Sequence, residues 1–195
     1  MLRAFVLLNR RAARAVTPKH LPEISAYARY RLEFFRLLST EDIHTVLDVG
    51  AGRNWFFGER VKSKHRLRLI GVDIDANEMA ANTCLDERLE ANACLGLPVR
   101  AGSIDLVTVR AGFEHFEDNA AFLNNCSAAL RPGGLALLTF AGRLAPFALL
   151  NRLLPEQVSS WLLDRLIPNQ TEKLGFKAYY DLCFATALRK TAKAQ

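Results

Sequence analysis

The chain has 195 residues, half of them apolar and 24% charged. That balance excludes a disordered or collagen-like polymer and suits one folded domain. The longest apolar stretch, Leu135 to Leu150, is broken by Arg143 and Pro146, and it is shorter than the roughly 20 apolar residues that span a bilayer. The net charge of +6 belongs to the ends: residues 1–22 hold five cations and no acid, and residues 170–195 hold five cations against two acids. The rest is slightly acidic, so no domain-wide field draws in a polyanion and nucleic acid is not expected as a partner.

The N-terminal stretch MLRAFVLLNRRAARAV is amphipathic and free of acids. It reads as a capping helix, with a transit peptide or a helix on anionic lipid as the second reading. Residues 22–39 continue as a helix, with apolar and aromatic positions three and four apart. A strand is expected at Thr45–Val49, a second at Arg68–Val72 ending in Asp73, and a helix from Asn77 through Leu85. A short strand near Leu89–Ala93 follows, then a buried strand at Ile104–Val109 and a helix over Asn119–Leu130. The run Arg131-Pro132-Gly133-Gly134 reads as a turn into a fifth strand, Leu135–Phe140. Cys84, Cys94, Cys126 and Cys183 show no CxxC spacing and read as free thiols in a reducing, cytoplasmic compartment.

Strands alternating with helices predict an α/β, Rossmann-like open sheet of about five mainly parallel strands with helices on both faces. The organisation expected is one domain: a helical cap over 1–40, a cofactor-binding core over 41–140 and a helical segment over 141–195. Ligands of such sheets bind outside the carboxyl ends of the strands, so the loops after Val49, Val72, Ala91 and Val109 should share one functional rim.

The first of these loops reads Asp48-Val49-Gly50-Ala51-Gly52-Arg53-Asn54. Its glycines permit a sharp turn and close approach to a ligand. Asp73, 21 residues beyond Gly52 in the sequence, is placed to accept from both hydroxyls of an adenosine ribose. NAD and S-adenosylmethionine both fit an acid at that point, and the glycine spacing separates them. A dinucleotide fingerprint from Gly50 needs a glycine at 55, where Trp55 stands and a pyrophosphate would meet an indole. S-adenosylmethionine needs no third close approach and goes with an acid two residues before the first glycine, here Asp48.

The ordered motifs VLDVGAG, GVDID, GSIDLV, FEHFED and ALRPGG resemble those of the class I S-adenosylmethionine-dependent methyltransferases of the type 11 group, over about residues 40–140. A weaker echo, GFKAYYDLCFATALRK, looks like the helical segment that family places before its sixth strand. The resemblance implies that Gly50 and Gly52 bracket the methionine part of the cofactor and that Asp48 helps orient its amino group. Asp73 then holds the ribose, Ile74 lies on the adenine, and Asn92 and Ala93 stand at the adenine edge. Arg110 matches a residue whose backbone faces the methionine amine, although its bulk is atypical there. His115, with Glu114, could serve as base and orienter on the acceptor or form a hydrogen-bonded helix entry. Tyr27, Tyr30 and Arg31 either close over the cofactor's carboxylate or pack.

Two departures stand out. Asn54 replaces a third glycine, which Asn tolerates through its ease in the left-handed region. The family's two final antiparallel strands have no counterpart before Gln195, so the fifth strand is expected as an apolar edge, which residues 141–190 would wrap or a homodimer would bury. The stretch Pro146–Ile167 reads as a cap over that edge, with a greasy substrate site or peripheral membrane contact as alternatives. The loop Arg110-Ala111-Gly112-Phe113 lacks the Asn/Asp-Pro-Pro-aromatic tetrad of exocyclic base methylation, and no cysteine nucleophile or metal-ligand cluster is present. The function expected is methyl transfer to a small-molecule or lipid-linked acceptor. The alternative is a catalytically silent cofactor-binding or assembly protein on the same fold.

Overall fold

The computed structural model describes residues 25–142 and 178–183. Helix α1 (Ala26–Thr40) begins later than the periodicity predicts, because Ser25 caps it by accepting from the Ala28 amide at 3.1 Å. Its buried face is Tyr30, Phe34 and Leu37, four and three residues apart as an amphipathic helix requires. Strand β1 (Thr45–Val49) follows. Helix α2 (Glu59–His65) buries no residue, which explains why no apolar stripe announced it.

After β2 (Arg68–Asp73), helix α3 spans only Ala76–Ala80, not the expected Asn77–Leu85. Asp75 caps it at the start. Beyond it, the Asn82 amide donates to the carbonyls of Ala51 and Gly52, while its oxygen accepts from the Cys84 amide. Such side-chain to backbone bonding offers the chain an alternative to another helical turn. Strand β3 (Glu87–Glu90) lies earlier than the predicted Leu89–Ala93, in register with β2 from Ile70↔Glu87 to Asp73↔Glu90. Asn92 and Ala93 therefore stand in a loop.

Strand β4 (Ile104–Arg110) leads through a single 3-10 turn (Phe113–His115) into helix α4 (Asn119–Ala129). Strand β5 runs from Leu130 to Thr139. The predicted turn at Arg131–Gly134 is instead an irregularity within that strand, where pairing jumps from Ile104↔Leu130 to Leu106↔Leu135.

The five strands lie in the order β3-β2-β1-β4-β5, and every pairing is parallel. Phe34, Leu37, Val46, Trp55, Leu69, Met79 and Leu106 form a core on one face, and Leu47, Val49, Val72, Val107, Phe113, Phe122 and Cys126 form a core on the other. Helices thus cover both faces, as the α/β pattern implies. At the amino ends of the strands, Asp105 accepts from the amides of His44 and Thr45 and pairs with Arg131, tying β1, β4 and β5 together.

The sequence predicts residues 178–183 as part of a helical segment. They are irregular, with a turn, and Tyr180 and Leu182 have φ of 54° and 46°. Tertiary bonds fix them: the amides of Tyr179 and Tyr180 donate to the Glu114 carbonyl, and Asn119 binds Asp181 through its amide and its side chain. The readings of residues 1–16 as a capping helix and of Pro146–Ile167 as a cap or membrane-facing stretch lie outside the described residues. Among the described residues β5 pairs on one side only, and no helix is long and apolar enough to cross a membrane.

Candidate active site at the carboxyl ends of the strands

A cavity of about 400 Å³ opens across the ends of β2, β1 and β4, a size typical of small-ligand sites. On the β2 side it is lined by Asp73, Ile74, Asn92, Ala93 and Cys94, along β1 by Val49, Gly50 and Gly52, and beyond β4 by Arg110, Ala111, Gly112 and His115. Eight of the nine sequence-predicted site residues therefore meet here.

The exception is Asp48, which does not line the cavity. Side chains alternate along a strand, and Asp48 falls on the face that α1 covers. It is 8% exposed and accepts from the Thr108 hydroxyl at 2.7 Å. Burial pushes its carboxyl up to about 7, a rise opposed by the Thr108 hydrogen bond and the Arg110 charge. Burial also raises the neighbouring Tyr30 phenol, with Asp48 adding to the effect.

Gly50 and Gly52 have φ of 71° and 49°, the left-handed region in which glycine meets no Cβ penalty. That turn brings the Gly50 amide to the Val72 carbonyl at 2.8 Å and the Gly52 amide to Asp73 Oδ2 at 2.9 Å. Asp73 Oδ1 accepts from the Asp75 amide at 3.1 Å. Each carboxylate oxygen is thus held by one backbone donor and keeps capacity for another. Asn54 is not left-handed, so replacing the family's third glycine carries no backbone strain. Trp55 does not enter the cavity either: it is 4% exposed and packs edge-on against Phe34 and Phe57. The expected clash of a pyrophosphate with the indole is therefore not what this loop provides.

Arg53 makes a bidentate pair with Glu78, both contacts at 2.7 Å, and joins the glycine loop to α3 at the cavity wall. Asn92 turns its own loop, its side-chain oxygen accepting from the Cys94 amide at 2.9 Å. Ile74 is 56% exposed on the cavity side. His115 lines the cavity from the 3-10 turn. Its neighbour Glu114 is buried, with one oxygen accepting from the Ala141 amide at 3.3 Å. Sequence reasoning missed Glu78, Glu117 and Tyr179 as lining residues. Glu117 lies within FEHFED, a visible signal. Tyr179 donates to Glu117, and no local pattern marks a contact 62 residues away. Cys126, pushed up to about 12 by burial, is an inert core thiol. Among the described residues no cluster of metal-ligating side chains occurs.

Residues 47–138 match the family profile of a methyltransferase domain. An uncharacterized methyltransferase of Mycobacterium sp. strain KMS is 32% identical over 105 residues, 53% of this chain and 41% of its own. A probable S-adenosylmethionine-dependent methyltransferase of Mycolicibacterium smegmatis is 28% identical over 60% of this chain and 46% of its own. A ubiquinone biosynthesis O-methyltransferase of Caulobacter vibrioides is 28% identical over 60% of this chain and 49% of its own. This chain spans half or less of each relative's length. Among solved structures, Haemonchus contortus phosphoethanolamine N-methyltransferase 2 in complex with S-adenosyl-L-methionine shares the fold, with a TM-score of 0.57 at 19% identity, covering 86% of this chain and 36% of that one. The parallel five-stranded sheet and the glycine turn closed onto Asp73 give the chain the fold of the class I methyltransferases, and residues 47–138 are similar to a methyltransferase domain.

Proposed function

We propose that the chain transfers a methyl group from S-adenosylmethionine to a small-molecule or lipid-linked acceptor. The observation that carries this reading is Asp73, fixed by the amides of Gly52 and Asp75 with one acceptor position left on each oxygen at the cavity wall. A vicinal diol is the natural partner of such a carboxylate. Asp73 is assigned to the ribose, the exposed face of Ile74 to the adenine plane, and Asn92 and Ala93 to the adenine edge. Gly50 and Gly52 admit the methionine portion without a side chain in the way. S-adenosylmethionine, when bound, supplies an electrophilic methyl on a sulfonium. The chain's own contribution is alignment, which can be worth about 7–11 kcal/mol, and His115 is assigned to take the proton that an incoming hydroxyl or amine releases. A relative named for O-methylation in ubiquinone biosynthesis supports an acceptor of this class.

Calorimetric titration with S-adenosylhomocysteine is expected to show one site per chain. Asp73→Ala is expected to weaken it by about 1.5–3 kcal/mol, the value of charge-assisted bonds to hydroxyls. Equal affinity in the variant would refute the ribose assignment. Transfer of a labelled methyl group to a panel of phenols, amines and carboxylates tests turnover.

A further inference from the structure

Arg110 ends β4 at the cavity, where its bulk is unusual, and the structure gives that bulk a place. Its guanidinium lies 5.0 Å from the ring centre of Phe56 and 5.9 Å from that of Tyr27. Phe56 belongs to the segment after the glycine loop and Tyr27 to α1, and the two rings pack at 6.2 Å. Two rings from separate elements thus hold one cation, an arrangement that positions the guanidinium while the N–H donors in its own plane stay available to other partners. Elsewhere in the cavity the charges are already committed: Glu78 is paired with Arg53, Glu117 accepts from Tyr179, and Asp73 holds two amides. No carboxylate among the described residues forms an ion pair with Arg110, and Asp48, an acid that feels its charge, is buried beside Thr108.

An exposed guanidinium, held in place and lacking a carboxylate, is the equipment of an anion site, because its fork matches carboxylate and phosphate oxygens. We propose that the Arg110 side chain, oriented by Phe56 and Tyr27, binds a carboxylate or phosphate group inside the cavity. The proposal rests on the cofactor reading above. The shared chemistry has two sources: the carboxylate of the cofactor's methionine portion, or an anionic group on the acceptor.

The test uses the full chain and the variants Arg110→Met, Arg110→Lys and Phe56→Ala, each first checked by thermal denaturation for an intact fold. In the first arm, S-adenosylhomocysteine and its decarboxylated analogue are titrated by calorimetry. If the anion is the cofactor's carboxylate, Arg110→Met weakens S-adenosylhomocysteine about 10- to 100-fold, the range of one charge-assisted pair. It then leaves the decarboxylated analogue unchanged, Arg110→Lys restores part of the loss, and Phe56→Ala shows a smaller loss. In the second arm, inorganic phosphate is titrated into the protein saturated with S-adenosylhomocysteine. If the anion belongs to the acceptor, phosphate binds the wild-type complex and not the Arg110→Met complex, while cofactor affinity is equal in both. Equal affinities throughout both arms overturn the proposal and leave the cofactor reading standing. A wild-type chain that binds no S-adenosylhomocysteine overturns both, so the two failures are distinguishable.

Discussion

Asp48 is expected to contribute stability that is lost as pH rises toward neutrality, opposite in sign to the usual contribution of a carboxylate. Its side chain is 8% exposed, and its carboxyl is raised from 3.8 to about 7 by burial, which outweighs the Thr108 hydrogen bond and Arg110. The unfolded chain releases this proton first, so between the two values the native state holds more protons and stability declines with pH. The rise corresponds to about 4 kcal/mol in total, of which about 2–3 kcal/mol is lost between pH 5 and pH 8. Asp48→Asn removes the titration and keeps an oxygen for the Thr108 hydroxyl. Urea denaturation of both proteins at intervals from pH 5 to pH 8.5 reads the effect. The stability of the variant relative to wild type is expected to improve by about 2–3 kcal/mol across that range. Contributions from histidines are common to both proteins and cancel in the difference. Parallel stability curves would refute the reasoning and mean that Asp48 ionises in the native state near its ordinary value.

Asp105 has the opposite sign. Burial raises its carboxyl, but the Thr45 and His44 amides and Arg131 outweigh that and hold it below the usual carboxylate range, so its contribution is present at neutral pH and disappears as acid protonates it in the native state. Asp105→Ala is expected to cost about 2–4 kcal/mol at pH 7, from the lost pair and two unpartnered strand-end amides, and less at low pH in denaturant titrations. Gly134→Ala is expected to destabilise by about 1–3 kcal/mol through overpacking, because a Cβ there would meet the Arg131 and Ile104 carbonyl oxygens at 2.9 and 3.1 Å. A melting temperature equal to wild type would show that the β5 irregularity relaxes. His115→Ala is expected to lower turnover about 10²-fold or more with unchanged S-adenosylhomocysteine affinity, the signature of a proton acceptor. A fall in affinity without a fall in turnover would reassign it to binding.

The parallel sheet, its strand alternation and the glycine turn followed by Asp73 were legible in the primary structure because each rests on local chemistry. Apolar runs of strand length, a residue type that alone enters the left-handed region freely, and an acid at a strand end all mark themselves within a few residues. The helix ends were less legible, since Ser25 and Asn82 compete with the backbone through side-chain bonds that periodicity does not register. Motif position also could not say which way a side chain points. Asp48 and Trp55 stand where the glycine motif places them, yet one lies beneath α1 beside Thr108 and the other packs into the core. The cavity wall likewise needs partners from distant segments: Tyr179 arrives beside Glu117 because the Glu114 carbonyl accepts from its amide and Asn119 holds Asp181 two residues on, and Arg110 is oriented by rings from α1 and from the segment after the glycine loop. Local sequence determined the strands and the turn, whereas the directions of Asp48 and Tyr179 were decided by which elements supplied their hydrogen-bond partners, because burying a polar group without one costs free energy.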